Sequence, residues 1–433
     1  MKIGIVSLGC SKNLVDSQLA MKYLVQQGHE FTDNPRNADV IIVNTCAFIN
    51  DAKQESIDTI LEMAEYKNNN CKKLIVMGCL SQRYKDELEE EIPEVDRFIT
   101  ITEYPHLKEI FKELIPEEIN KECELLLATD PWTGYLRISD GCNNNCAFCA
   151  IPLIRGRYKS VPMEILREEA KKMADAGVKE LNLIAQDSTK YGIDLYGEFK
   201  LGELLTELNK MDFHWIRILY LYPDEINDSL LDTIASLDKV IPYFDIPVQH
   251  SSDELLRKMY RFSSRQKLVD IVEKIRNKFV DPTLRTTVIV GFPTETEEDF
   301  KDLLEFVKET KWDHLGAFAY SREENTPAYD LAPQIAENVK QERLERLMLL
   351  QQGITEEASS RYIGSVEEVL VEMKDSLRNI YVGRSKHHAP DDIDGHVSFF
   401  SEKNIELGTF VHVKITSVRN YDWQGELADE INN

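Results

Sequence analysis

The chain has 433 residues, of which 42% are hydrophobic, and a formal net charge of −25. This length predicts two or three domains, and the absence of any run of 18 apolar residues argues against a membrane span. The acidic charge disfavours a nucleic-acid surface and favours a basic partner. Eight cysteines and no signal-peptide layout indicate metal or redox chemistry in a reducing cytoplasm.

Residues 1–125 alternate strands with helices, which predicts an open α/β sheet. The predicted strands are residues 2–8, 39–45, 73–77 and 97–99, and the helices are residues 17–27, 54–66 and a segment from 82. Cys10, Cys46 and Cys79 follow the first three strands. Because the carboxyl ends of parallel strands form one crevice, these thiols should converge as a metal site that lacks one ligand. The alternative is three buried small residues, which is how we interpret Cys71 and Cys123.

Cys142, Cys146 and Cys149 lie within eight residues, in a C-x3-C-x2-C pattern. Three thiolates can hold three irons of a 4Fe-4S cluster and leave the fourth iron open to a small molecule. The alternative is structural zinc, which usually has four ligands in separated pairs. Since no fourth Cys or His follows closely, the pattern favours the cluster.

Residues 132–335 contain six β/α repeats, which predicts an incomplete (β/α)6 barrel. The predicted strands are residues 134–138, 180–185, 215–220, 240–246, 285–290 and 314–320. Barrel chemistry lies at the carboxyl ends of the strands. The cysteine loop lies there, and Gln186, Gln249 and Gly291 follow the second, fourth and fifth strands. His250 is interpreted as a packed residue.

A linker helix is predicted in residues 336–364, and short strands in residues 365–433 predict a small β-barrel. This last unit has thirteen Asp and Glu against seven Lys and Arg, a net charge of −6. Asp391, Asp392 and Asp394 form its densest acidic run, and Pro390 and Gly395 predict an exposed loop there.

Several segments resemble the methylthiotransferase family of the radical S-adenosylmethionine superfamily: SLGCSKNLVDSQ, VIIVNTCAFIND, LIVMGCLSQRY, CAIPLIRGRYKS and VIVGFPTETEEDF. The resemblance implies that both cysteine triads hold 4Fe-4S clusters. It implies that S-adenosylmethionine binds at the open iron of the second cluster, near Gln186, Gln249 and Gly291. It also implies that the C-terminal barrel is a TRAM domain.

One branch of this family modifies an adenosine in transfer RNA, and the other modifies an aspartate of small-subunit ribosomal protein twelve. The segment VGRSKHHAPDDIDG resembles the ribosomal-protein branch, and the acidic C-terminal barrel agrees with a basic substrate. The resemblance then implies radical removal of a β-hydrogen, insertion of a methylthio group, and reduction by an electron donor. The alternatives are a transfer-RNA methylthiotransferase and a non-catalytic metal-binding protein associated with the ribosome.

Overall fold

A computed structural model describes residues 1–115, 125–391 and 393–428. Cys123 and Asp392 lie outside the described residues. No helix in the described part of the chain is both long and apolar enough to cross a bilayer.

The N-terminal unit is a parallel sheet of five strands in the order β2-β1-β3-β4-β5. Helices cover both faces, and β3 is buried along its whole length, as its continuous apolar sequence predicts. The strands are β1 (Lys2–Ser7), β2 (Glu30–Phe31), β3 (Val40–Thr45), β4 (Lys73–Gly78) and β5 (Arg97–Ile99), and the helices are α1 (Ser11–Gln26), α2 (Asn50–Ala64), α3 (Cys79–Glu91) and α4 (Leu107–Leu114).

All three helices predicted in this unit begin earlier than the sequence pattern predicts, and the one predicted from residue 54 starts at Asn50. The helix predicted from residue 17 starts at Ser11, directly after Cys10, and the helix predicted from residue 82 starts at Cys79. Polar residues in both first turns hid the starts. The consequence is that Cys10 and Cys79 lie at helix N-termini.

The central unit is a partial barrel of six parallel strands, which confirms the predicted fold class. Two three-stranded sheets, β6-β9-β10 and β11-β12-β13, are joined by a parallel bridge between Ile216 and Val240. The short antiparallel pair β7 and β8 flanks the cysteine loop. The strands are β6 (Thr133–Arg137), β7 (Ser139–Asp140), β8 (Lys159–Ser160), β9 (Glu180–Ile184), β10 (Trp215–Ile218), β11 (Tyr243–Asp245), β12 (Thr283–Val290) and β13 (His314–Ala319).

Helices surround this barrel, and the linker helix packs into the same apolar core through Leu347 and Ile354. Packing against the barrel therefore holds this helix in place. The helices are α5 (Ile151–Ile154), α6 (Met163–Asp175), α7 (Ile193–Tyr196), α8 (Leu201–Leu208), α9 (Asp228–Ser236), α10 (Asp253–Lys258), α11 (Arg265–Lys278), α12 (Glu297–Thr310) and the linker helix α13 (Glu337–Ser359). The domain boundaries proposed from the sequence stay predictions.

The C-terminal unit is a closed five-stranded barrel in the order β14-β15-β16-β18-β17, as predicted. Its strands are β14 (Val366–Asp375), β15 (Ile380–Ser385), β16 (Val397–Phe400), β17 (Phe410–Arg419) and β18 (Asp422–Leu427).

The acidic loop of this barrel corrects one prediction. Asp391 is exposed, as expected, but Asp394 is only 1% exposed. The Asp394 carboxylate accepts a hydrogen bond from the hydroxyl of Tyr243 at 2.5 Å and pairs with Arg285 at 3.1 Å. Tyr243 lies on β11 and Arg285 on β12, both in the central unit. This part of the loop therefore connects the C-terminal barrel to the central unit and is not a free acidic surface.

Candidate active site

The barrel triad lies in one loop between β7 and α5, after the carboxyl end of β6. Backbone hydrogen bonds hold the loop: the Cys142 N–H donates to Gly156 O at 3.2 Å, and the Ala147 N–H donates to Met259 O at 2.9 Å. Gly141 enters the loop at φ +72°, and a Cβ there would lie 2.3 Å from the carbonyl oxygen of Arg157. The loop therefore depends on glycine at this position.

Burial is the main influence on two thiols of this loop. It raises the pKa of Cys142 to about 11, and it also raises the pKa of Cys149. Two donors face the sulfurs: the Asn144 N–H lies 3.4 Å from Cys142 Sγ, and a guanidinium nitrogen of Arg261 lies 3.8 Å from Cys146 Sγ. Metal binding must displace protons from these thiols, and the two donors stabilise the resulting thiolates.

The donor set fits an iron–sulfur cluster. Three thiols come from one loop, and within the described ranges no three Cys, His, Asp or Glu side chains are grouped closely enough to hold a single metal ion. In a cluster each thiolate binds a different iron, so the ligands stand farther apart than those around one ion. Three thiols in one loop match the donor set of a 4Fe-4S cluster that keeps one iron open.

The N-terminal triad comes from three neighbouring strands. Cys10 follows β1, Cys46 follows β3, and Cys79 follows β4 as the first residue of α3. The ideal Cβ position of Gly9, the residue before Cys10, lies 3.1 Å from Cys46 Sγ. Burial raises the pKa of Cys46 and raises the pKa of Cys79 to about 12, although Arg155 opposes the second shift. The three thiols thus meet at one edge of the sheet, as the order of the strands predicts.

Arg155 joins the two triads. It follows Cys149 by six residues, and its guanidinium lies 3.9 Å from Cys79 Sγ in the N-terminal unit. It donates to the carboxylate of Asp16 at 2.6 Å and to Asn13 Oδ1 at 2.8 Å, both on α1. The two cysteine sites are therefore neighbours across the first turns of α1.

A second set of bonds continues from this junction to the barrel loop. Asp140 pairs with Arg155 at 3.3 Å and accepts a hydrogen bond from the N–H of Gly141, the residue before Cys142. Asp16 also pairs with Arg137 on β6. Sequence reasoning missed all of these charged residues. The available signal was their position inside cysteine motifs, in SKNLVDS and LIRGR, but residue type alone did not indicate which partners they meet.

The three predicted cofactor contacts lie at the expected strand ends, and each has a different environment. Gln186 donates to Asp140 at 3.1 Å, and its Oε1 is buried without a partner among the described residues. Gln249 has φ +72° and pairs through its backbone with β12. Gly291 has φ +71°, and a Cβ there would lie 2.3 Å from Cγ of Lys340 in α13. The packing of α13 thus requires this glycine whether or not a ligand lies nearby.

Known families match all three units. Residues 2–100 match Uncharacterized protein family UPF0004, residues 136–307 match the Radical SAM superfamily, and residues 363–428 match the TRAM domain. Among solved structures, the radical S-adenosylmethionine methyltransferase TsrM from Kitasatospora setae, with cobalamin and a [4Fe-4S] cluster bound, has a TM-score of 0.57 at 12% identity, with 76% of each chain covered. This likeness shows the fold alone.

The fold and the cysteine loop define a radical S-adenosylmethionine enzyme with an added N-terminal sheet domain and a TRAM barrel. A protein of Caldicellulosiruptor saccharolyticus called ribosomal protein uS12 methylthiotransferase RimO is 47% identical, over 99% of this chain and 100% of its own. The protein of the same name from Aquifex aeolicus is 48% identical, over 98% of this chain and 97% of its own. The chain therefore belongs to the RimO family of methylthiotransferases.

Proposed function

We propose that this chain adds a methylthio group to the β-carbon of an aspartate in ribosomal protein uS12, the protein in its relatives' name. The observation that carries the proposal is the junction at Arg155, which brings a second cysteine triad next to the triad of the radical domain. An aliphatic C–H bond has no acidity that a general base could exploit. A site that must both break such a bond and deliver sulfur therefore needs two reactive centres close together.

We further propose which residues hold the cofactors. Cys142, Cys146 and Cys149 would hold one 4Fe-4S cluster, and Cys10, Cys46 and Cys79 a second. S-adenosylmethionine would lie at the open side of the first cluster, with Gln186, Gln249 and Gly291 at the strand ends around it. The chemistry that these groups supply when bound is radical formation in the barrel and sulfur delivery from the N-terminal unit.

The chain's own side chains brace this site. Asn144, inside the cysteine loop, donates to the carboxylate of Asp187 at 2.8 Å and accepts from Lys190 at 2.5 Å. The hydroxyl of Tyr158 donates to Asp187 O at 3.1 Å. These contacts tie the loop to the carboxyl end of β9. They limit its movement relative to the barrel, and a reaction between groups held at fixed distance needs that restriction.

Apolar side chains of α1 and of the barrel strand ends belong to one cluster. Leu14 and Val15 of α1 pack with Ile184 and Leu219 at strand ends of the barrel. A radical reacts with water and with competing hydrogen donors, so this packing supports the proposed chemistry by excluding both.

Charge supports a basic protein as the substrate. The chain carries −25 overall, and residues 365–433 carry −6. Transfer-RNA binding would need a surplus of basic side chains to neutralise phosphates. Burial of Asp394 removes one carboxylate from the outer surface but leaves the sign of this balance unchanged. An electron donor is a further partner that the proposed chemistry requires, and we infer that the protein works in the cytoplasm.

The test is anaerobic incubation of the iron-loaded protein with S-adenosylmethionine, a chemical reductant and either purified uS12 or transfer RNA. We expect mass spectrometry to show one methylthio group replacing one hydrogen on an aspartate of uS12 and no change in the RNA. Modification of the RNA alone would instead establish the transfer-RNA activity. A colourless protein that binds zinc and modifies neither would establish the non-catalytic alternative, because iron–sulfur clusters give a brown solution.

A further inference from the structure

Lys12 is a buried lysine without an anionic partner. It is 6% exposed, and its ammonium nitrogen lies 2.9 Å from the ring centroid of Tyr220. Among the described residues it makes no hydrogen bond and no ion pair within 4.0 Å. The stem of the side chain is covered by the protein, while its ammonium nitrogen keeps access to solvent. A cation held in this way is ready to receive an anion.

Lys12 lies beside the N-terminal triad. It is the second residue of α1, two positions after Cys10. Tyr220 follows β10, at the carboxyl end of the barrel strands where barrel enzymes place their chemistry. The side chain therefore reaches from the N-terminal unit to the mouth of the barrel.

The carboxylates near Lys12 are paired with other cations. Asp16 lies one helical turn away and would be the usual partner at i+4. Its carboxylate is instead paired with Arg137 and Arg155, and Asp140 also pairs with Arg155. Both carboxylates at this junction are therefore paired with arginines, and neither is left for Lys12.

We propose that the ammonium group of Lys12 binds the side-chain carboxylate of the substrate aspartate, an inference that rests on the function proposed above. Lysine presents three donors, and the contact with one face of Tyr220 leaves donors free. In aspartate the carboxylate is attached directly to the β-carbon. Holding this carboxylate at Lys12 thus places the carbon to be modified between the radical site and the sulfur-donating triad.

The carboxylate of S-adenosylmethionine has the same chemistry, so the test must separate the two sources. The probes are two uS12 peptides that differ only in carrying Asp or Asn at the modified position. The variants are Lys12→Met, Lys12→Gln, which keeps a polar donor, and Lys12→Arg, which keeps the charge. Lys22→Met is the matched control, because it removes the same charge from the same helix away from the junction.

The wild type should prefer the Asp peptide over the Asn peptide by about tenfold or more in kcat/KM, the usual value of a hydrogen bond between charged groups. Lys12→Met and Lys12→Gln should lose this preference and should bind the Asp peptide about tenfold or more weakly at equilibrium. Lys12→Arg should retain much of the preference, and Lys22→Met should behave as wild type. Equilibrium affinity for S-adenosylmethionine should not change in any variant.

Three results would overturn the inference. If wild type modifies the Asp peptide and both neutral variants keep the preference for Asp, Lys12 does not bind that carboxylate. If the neutral variants lose affinity for S-adenosylmethionine while keeping the preference, Lys12 binds the cofactor's carboxylate. If the wild type leaves the Asp peptide unmodified, the proposed function fails and takes this inference with it. Thermal unfolding of each variant shows whether it still folds. If the neutral variants do not fold, the ratio of kcat/KM for the Asp peptide to kcat/KM for the Asn peptide in Lys12→Arg decides the question.

Discussion

Cys142, Cys146 and Cys149 occupy a single loop of eight residues, whereas Cys10, Cys46 and Cys79 come from three strand ends spread over about seventy positions. The first triad is held mainly by its own loop and the adjoining backbone. The second exists only when β1, β3 and β4 pair in register. One of the two proposed metal sites is thus a local property of the sequence, and the other is a property of the folded sheet.

This difference predicts how each site fails. A local loop fails when its ligands are removed, and the rest of the protein is little affected. A site assembled by a sheet can also fail through changes at residues that never touch the metal, because sub-ångström strand shifts move all three thiols relative to one another.

The largest effect should follow loss of the barrel triad. Changing Cys142, Cys146 and Cys149 together to Ala should abolish cleavage of S-adenosylmethionine and reduce iron from about eight to about four atoms per chain. Iron analysis and chromatography of cleavage products measure both. Cys71→Ala is the control, because Cys71 is a buried cysteine that lies outside both triads. Full iron content in the triple variant would contradict the assignment.

Single changes in the N-terminal triad should separate the two activities. Cys10→Ala, Cys46→Ala or Cys79→Ala should stop sulfur insertion into uS12, while cleavage of S-adenosylmethionine continues at the other cluster. Mass spectrometry of uS12 and assay of the cleaved cofactor on the same sample give both values. Methylthiolation at the wild-type rate in any of the three would show that this triad is not the sulfur source.

The cysteine positions could be predicted because they follow from strand order. Continuous apolar runs at β1, β3 and β4 indicate parallel strands, and parallel strands end at one edge. The junction between the triads could not be predicted in this way. Arg155 and Asp16 are 139 residues apart, and no local pattern indicates which buried arginine meets which aspartate.

The C-terminal barrel shows the same limit. Strand β18 gives only a weak sequence signal, because DWQGEL has two large apolar residues with a glycine between them. It forms because Trp423 fills the barrel interior and β18 pairs with both β16 and β17. The turn residues around Asp394 were interpreted correctly as a loop, but its burial depends on Tyr243 and Arg285, more than a hundred positions earlier.

A glycine that is not itself a proposed ligand can test whether the N-terminal site depends on the sheet. Gly78 has φ +104°, and a Cβ there would lie 2.6 Å from Thr45 O, at the end of β3. Gly78→Ala should push β3 and β4 apart beside Cys46 and Cys79. We expect iron to fall from about eight toward about four atoms while cleavage of S-adenosylmethionine continues.

Gly353→Ala is the matched control, because Gly353 lies within α13 and a Cβ there meets nothing within 4 Å. This variant should retain all of its iron. Equal iron loss in the two variants, or full iron in Gly78→Ala, would contradict the dependence of the N-terminal site on strand register.

The smallest effect on the reaction should come from replacing Asp394. Its loop has the sequence of a local turn, but contacts with distant residues determine its structure. Arg285 and His314 hold the pKa of this buried carboxyl below its usual range against the effect of burial. Asp394→Asn should therefore lower stability by about 3–5 kcal/mol at neutral pH, the usual loss when one member of a buried pair is removed. Because the folded pKa is depressed, the stabilisation is present above the ordinary aspartate pKa and is lost as the pH falls toward the folded value. The difference in Tm between wild type and variant should thus shrink on acidification.

Asp391→Asn is the control for this measurement. Asp391 is exposed and accepts one hydrogen bond, from the hydroxyl of Tyr135 at 2.5 Å, so its replacement should lower Tm less than Asp394→Asn does. If the two variants lowered Tm equally, the buried pair of Asp394 and Arg285 would not be the contact that stabilises the loop. If Asp394→Asn instead left Tm unchanged and weakened binding of uS12, the loop would be a substrate surface, as its sequence alone predicts. A stability loss confined to Asp394→Asn would show that the TRAM barrel uses this carboxylate to hold its position on the radical domain.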